Sequence, residues 1–145
     1  MIIMKFGGTS VKDFTAINNL LRILKTRLSR KPVVVCSAVS GITDILLNLG
    51  IQASKGNIDE SNRLLESIRR RHIQIIEESF LIDCAEKQHS MGNVNDLIKK
   101  LSDFIKGIYL LSELSDRSIA KILSFGEILS TTIIADILNC NSVKT

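Results

Sequence analysis

Apolar residues fall along this chain in two rhythms. Short continuous runs, IIMKF (2–6) and PVVVCSA (32–38), are rich in β-branched residues and bounded by breakers, Gly7-Gly8 after the first and Pro32 before the second. Runs of this length and composition predict buried strands. Between them Ala16, Ile17, Leu20, Leu21, Leu24 and Leu28 recur at helical spacing. A strand, a helix of about 15 residues and a second strand make a βαβ unit, whose parallel strands are covered on both faces. The lack of polar alternation within the strand runs agrees with that expectation.

Beyond the second strand the rhythm is helical. ITDILLNLGIQAS after Gly41 fits a helix, and Asp59 can cap another whose stripe is Leu64, Leu65, Ile68, His72, Ile75 and Ile76. A further stripe runs through Leu97, Leu101, Phe104, Ile105, Ile108 and Leu111. The polar stretch KQHSMGNVN (87–95) reads as a loop that leaves His89 in solvent, while Tyr109 and the phenylalanines read as core. SDRSIAKILSFGEILSTTIIADIL (115–138) is long and interrupted, and Gly126 with the hydroxyl-rich ILSTT predicts a break near 124–127. The closing NCNSVKT reads as a connection and the first residues of another strand, which predicts that the chain is a piece of something longer. No internal repeat or low-complexity segment interrupts the pattern.

Composition narrows the class. With 145 residues, 45% apolar and 23% charged, the chain is long enough for one domain with a real core and has none of the bias of a disordered or fibrous protein. Much of the net charge of +4 comes from RLSRK (27–31) and RRR (69–71). With no Trp and no nucleic-acid motif, these read as solvated surface charge and predict no nucleic-acid partner. Cys36, Cys84 and Cys140 are odd in number, far apart and without histidines at ligand spacing, which argues against disulfides and a zinc site and predicts no metal held by side chains. Cys36 reads as a small buried apolar residue. No apolar run reaches the roughly 18 residues of a membrane span, and the N-terminus lacks the features of a signal peptide. The expectation is a cytoplasmic protein with no membrane partner.

Three stretches carry candidate chemistry. In KFGGTSV (5–11), glycines after a parallel strand let a ligand approach the backbone, and Thr9 or Ser10 can cap the next helix. Such a helix N-terminus accepts phosphate, and Lys5 at the strand end can neutralise charge on a transferring phosphoryl group. The order of lysine and glycines is not that of a Walker A loop. A plain βα turn remains the alternative. SAVSGITD (37–44) repeats this grammar with Ser37 and Ala38 at the strand end, Gly41 in the turn and Thr43 in the first helical turn. Ligands of open parallel sheets bind outside the carboxyl ends of the strands, so the two loops face one crevice. In SFGEILST (124–131), Glu127 is either an exposed glutamate at a helix start or a carboxylate aimed at a ligand cation. His72, inside its apolar stripe, reads as a partly buried, hydrogen-bonded core residue.

KFGGTSV, SAVSGITD and SFGEILST, in this order and spacing, resemble the aspartokinases, and the resemblance extends over residues 1–145 through IRRRHIQIIEE and LLSELSDRSIAKILSFGE. It implies an α/β, three-layer parallel-sheet amino-acid-kinase-like fold, of which the chain is the N-terminal, helix-rich part. The implied activity is ATP-dependent phosphorylation of the L-aspartate β-carboxylate, at the head of lysine, threonine and methionine biosynthesis, with ATP and Mg2+ as cofactors and L-aspartate as substrate. The implied site places Lys5, Gly7, Gly8 and Thr9 on the ATP phosphates, with Ser10 beside them. Ser37 and the Ala38 backbone would lie between phosphate and substrate, and Thr43 and Glu127 would bind aspartate, Glu127 holding the α-ammonium. The family's Arg-Gly-Gly-Ser-Asp-like motif, adenine-binding half and ACT domains have no counterpart in these residues. The chain alone is therefore expected to be inactive, and the full-length protein a homo-oligomer. A non-catalytic phosphate-binding or assembly fragment, a bifunctional aspartokinase–homoserine dehydrogenase and a kinase of glutamate or acetylglutamate are the competing readings.

Overall fold

A computed structural model describes residues 1–80 and 84–140 of the protein. The two apolar runs pair in it as parallel strands, β1 (Ile2–Phe6) and β2 (Pro32–Cys36), in register from Ile2 opposite Pro32 to Phe6 opposite Cys36. Helix α1 (Phe14–Lys25) crosses between them and buries Ile17, Leu20, Leu21 and Leu24, the spacing read from the sequence. Leu28 does not belong to it. The helix stops at Lys25, the Thr26 hydroxyl donates to the Ile23 carbonyl at 2.8 Å, and Leu28 opens a short 3-10 turn, partly exposed.

The strands are not covered on both faces among the described residues. Val34 and Cys36 face Leu24 of α1 and the Ile134–Leu138 end of the last helix, and Met4 and Phe6 pack on the same core. On the other face Ile3 is 73% exposed, Val33 47% and Val35 45%. The continuous apolar runs are those of strands built for two covered faces. Among the described residues one of those covers is present.

Four helices make the rest of the core: α2 (Ile42–Ser54), α3 (Ile58–Ser79), α4 (Ala85–Leu111) and α5 (Asp116–Cys140). Each touches the other three, and α5 also touches β2. At the start of α3 the cap position is Asn57 rather than Asp59; Asp59 and Glu60 occupy the first turn, where their charge favours the helix N-terminus.

Two expectations about loops and breaks are corrected. Residues 87–95 lie inside α4, with His89 exposed on it, because Ser90, Val94, Ile98, Leu101, Ile105 and Ile108 form a buried stripe that overrides the local polarity. Asn93 turns its amide to the Asp136 carboxylate of α5 at 3.2 Å. Helix α5 runs unbroken through Gly126, which is buried. A Cβ at Gly126 would stand 2.8 Å from the Ala38 Cβ and 3.2 Å from the Leu46 Cδ1. The glycine is there for closeness, not for a bend. Helix α5 is also long and apolar enough to cross a membrane, although polar residues interrupt its apolar runs; its stripe of Ile122, Phe125, Leu129, Ile133 and Ile137 is buried among the other elements. The predicted strand start in NCNSVKT falls on 141–145, outside the described residues. Of the predicted core aromatics, Phe80 and Phe125 are buried, whereas Phe104 and Tyr109 are half-buried.

His72 is fully buried on α3, and its Nδ1 lies 2.7 Å from the Ile68 carbonyl. A carbonyl only accepts, so Nδ1 carries the proton and donates. Nε2 is then a buried lone pair without a partner. Burial, opposed by the Ile68 bond and reinforced by the Arg71 charge, holds the ring below the ordinary histidine value of 6.5. The unfolded chain therefore binds a proton more readily than the native one, so stability is full above about pH 6.5 and declines as pH falls from there toward the lower native value. Thermal melts at pH 7.5 and 5.5 should show a lower Tm at 5.5, and His72→Leu should shrink that difference. An undiminished difference in the variant would place the acid sensitivity elsewhere.

A glycine-to-alanine pair tests the α5 packing. Nothing lies within 4 Å of a Cβ at Gly92 of α4, so Gly92→Ala should stabilise by about 0.5–1 kcal/mol through helix propensity. Gly126→Ala should instead destabilise by about 1–2 kcal/mol, because overpacking against Ala38 outweighs that gain. Denaturant midpoints of the two variants moving in the same direction would contradict the close contact.

Candidate active site

The site grows from the carboxyl ends of the two strands. Leaving β1, the chain makes a 3-10 turn over Gly8–Val11, pinned by fully buried Val11 and closed by the Ser10 N–H donating to the Gly7 carbonyl at 2.9 Å. The turn corrects the expected cap. Neither Thr9 nor Ser10 caps α1; Asp13 does, its Oδ1 accepting from the Ala16 N–H at 2.8 Å. The N-terminus of α1 is thus already occupied by a carboxylate.

The glycines of this turn differ. Gly7 is extended (φ −77°, ψ 172°) and faces open space. Gly8 is in contact: a Cβ there would stand 3.0 Å from the Ala38 carbonyl oxygen and 3.6 Å from the Ser40 Cα. At Gly8, then, the first loop touches the second. Lys5 is exposed on β1 opposite Val35, and strand alternation puts it on the open face of the sheet with Ile3.

The second loop leaves β2 with the Ser37 N–H still donating to the Phe6 carbonyl at 3.0 Å. Ala38 and Val39 are buried, and Gly41 turns the chain into α2 at φ +80°, the left-handed region where a side chain is strained. Thr43 is exposed in the first turn of α2, beside Asp44. Its neighbour Ile42 is buried, 3.7 Å from the position of a Gly126 Cβ.

Helix α5 supplies the third wall. Gly126 abuts Ala38, and the next residue, Glu127, is exposed. Glu127 lies in the interior of α5, far from its start at Asp116, which removes the reading of a helix-start glutamate. One turn on, the buried Ser130 hydroxyl donates to the Ser37 carbonyl at 2.7 Å. Contacts thus bring Gly8, Ser37, Ala38 and the Glu127 turn of α5 into one neighbourhood, with Thr43 on the adjoining turn. Two cavities of about 520 Å3 lie on either side of α1 and the sheet, and only the first borders the first loop. One lies between Phe6, Thr9, Ser10 and α1, the other among Leu24, Val34, Ile134 and Leu138. The second is mainly apolar, with Lys31 and Thr131 in its lining, and none of the predicted site residues lines it.

Two participants escaped sequence reading. Ser130 was visible only as one hydroxyl of ILSTT, although its position one turn after a glycine-glutamate pair was a signal. Arg71, read as solvated charge, sends its guanidinium to the Lys12 carbonyl at 3.3 Å, tying α3 to the end of the first loop. Cys36 is buried, which pushes its thiol above the ordinary range and keeps it protonated, in keeping with a packing role. Among the described residues no three His, Cys, Asp or Glu side chains are grouped to hold a metal ion.

Comparison with known proteins places these observations in a lineage. The chain is 30% identical over 142 residues to aspartokinase 1, chloroplastic, of Arabidopsis thaliana, covering 98% of this chain and 24% of that protein. It is 30% identical over 143 residues to the aspartokinase of Chlamydia muridarum, covering 99% and 28%. It spans about a quarter of the length of these curated relatives. Among solved structures, E. coli aspartokinase III in complex with lysine and aspartate (T-state) superposes with a TM-score of 0.78 at 28% identity, over 99% of this chain and 30% of that one. The same enzyme in complex with aspartate and ADP (R-state) gives 0.77 at 27% identity, over 98% and 29%. The amino acid kinase family matches residues 1–145, and to that family the chain belongs.

Proposed function

We propose that this chain forms the acceptor and phosphate end of an aspartate kinase, which transfers the γ-phosphoryl group of ATP to the β-carboxylate of L-aspartate. The observation that carries the reading is the convergence of three elements on one peptide. Gly8, where a Cβ would stand 3.0 Å from the Ala38 oxygen, and Gly126, where one would stand 2.8 Å from the Ala38 Cβ, bring a glycine turn, a hydroxyl loop and the Glu127 turn together at the strand ends. The E. coli relative, whose structures hold aspartate and ADP, adds weight to both ligands. Because the chain spans only about a quarter of its relatives, the reaction is proposed for the intact protein, acting in the cytoplasm as a homo-oligomer.

Such a transfer asks little covalent chemistry of a protein. A β-carboxylate with an ordinary pKa near 3.9 is ionised at neutral pH and needs no general base. The difficulty is repulsion between two anions. Lys5 would offset it with a full positive charge, and the amides of the Gly7–Thr9 turn with fixed dipoles. Ser37 and the Ala38 backbone would stand between phosphate and acceptor, while Glu127 and Thr43 would hold the acceptor, the carboxylate of Glu127 on its ammonium group. Mg2+ would enter with the nucleotide as its counter-ion and neutralise charge on the phosphates.

Trapping the acyl phosphate as a hydroxamate tests the reading in the intact protein. Aspartate with ATP should give product, and glutamate or acetylglutamate far less; a preference for either of those, or no product from aspartate, would defeat it. Lys5→Ala should lower kcat by about 100-fold or more with KM for aspartate within a few-fold. Glu127→Ala should raise KM for aspartate by about 10- to 100-fold. A Lys5→Ala enzyme turning over within a few-fold of the parent would refute the role given to the lysine.

A further inference from the structure

Of the buried polar side chains among the described residues, Ser61, His72, Ser90 and Ser130, one reaches a carbonyl in another element. Ser61 and His72 bond four residues back along their own chain segment, and Ser90 has no partner. Ser130 is only 2% exposed, and its hydroxyl oxygen lies 2.7 Å from the Ser37 carbonyl, 93 residues away in sequence. A second acceptor, the Glu127 carbonyl of its own helix, stands at 3.1 Å. A hydroxyl has one proton, and the shorter separation assigns it to Ser37.

The Ser37 carbonyl needs such a partner. Its residue still donates its own N–H to Phe6, but from Gly7 onward the first strand has turned away, so the ladder ends at this peptide. A buried carbonyl left unpaired is costly. Helical serines ordinarily satisfy themselves within their own helix; here the hydroxyl is spent across elements instead. Ser130 follows Glu127 by three residues, and Gly126 presses on Ala38. The bond therefore sets the height of the Glu127 turn against the Ser37–Ala38 peptide. Gly126 alone fixes how near α5 approaches, not where along its axis it stops.

We propose that Ser130 is a positioning residue for the phosphoryl acceptor: its bond to the Ser37 carbonyl sets the spacing between the Glu127 carboxylate and the Ser37–Ala38 peptide, and so determines where an amino-acid acceptor's ammonium and reacting carboxylate lie. This rests on the acceptor site described under the proposed function. The nucleotide phosphates, held mainly from Lys5 and the first loop, depend on the bond less than the acceptor does.

The test uses the intact protein. Ser130→Ala should raise KM for aspartate about five- to tenfold while leaving KM for ATP within about twofold. Amide hydrogen exchange at residues 37–40 should accelerate by about tenfold as the carbonyl loses its partner. Ser130→Thr keeps the hydroxyl and should return both quantities most of the way to the parent. If the alanine variant does not fold, Ser130→Cys, close in shape with a far weaker donor, carries the same expectations. Parallel rises in KM for aspartate and ATP, or unchanged exchange at 37–40 in an active enzyme, would overturn the positioning role alone. Failure of the unsubstituted protein to phosphorylate aspartate would instead defeat the functional reading and the acceptor role with it.

Discussion

The arrangement of the site depends on a missing atom. Helix α5 can lie against the loop after β2 because Gly126 has no Cβ to meet Ala38 and Leu46. Everything near the strand ends follows from that approach. Glu127 stands at the site because it is the next residue along, and Ser130 reaches the Ser37 carbonyl because it is one turn further. Helix α2 joins the same contact through Ile42 and Leu46, so the turn bearing Thr43 shares the constraint. On the far side Gly8 repeats the device against the Ala38 oxygen. One alanine is thus held between two glycines from opposite ends of the chain, and close packing at a few positions does what a larger site achieves with many side chains.

The parts of the fold legible in the sequence were those where local pattern and tertiary burial agree. The Ile17–Leu20–Leu21–Leu24 stripe and the first strand lie where the pattern places them, and the second strand starts at Pro32 as expected but ends at Cys36, two residues short of the apolar run. Prediction failed where one residue type serves two physical ends. Gly126 reads as a breaker, but in a buried helix a glycine also permits contact. Residues 87–95 were taken for a loop on polarity, although Ser90 and Val94 already continue the stripe through Ile98 and Leu101. Within the site, Lys5, Gly8, Ser37, Ala38, Thr43 and Glu127 could all be nominated from motif grammar. The bonds that hold them, Ser130 to Ser37 and Arg71 to Lys12, join positions 93 and 59 residues apart. No local pattern encodes such pairs.

Helix α3 shows how adjacent residues divide between inside and outside. Arg71 extends outward to the Lys12 carbonyl, while His72 turns inward to an apolar packing site. The same turn of helix therefore ties the first loop to the bundle and carries the bundle's most conspicuous buried titratable group. Arg71 is a long, partly solvated side chain, so its contact steadies the loop without the desolvation cost that a buried guanidinium would meet.

The Asp13 cap gives the first loop a direction. Many phosphate sites aim the ligand along a helix axis, so that the whole macrodipole assists. Here a carboxylate already faces the positive end of α1, accepting from the Ala16 N–H at 2.8 Å, and takes the place an anion would occupy there. Lys12 lies 3.7 Å from that carboxylate and offsets its charge, and Lys5 adds a positive charge on the uncovered face of the sheet. The end of α1 is thereby closed to a further anion, and what stays open beside the first loop is the space around Gly7 at the strand end.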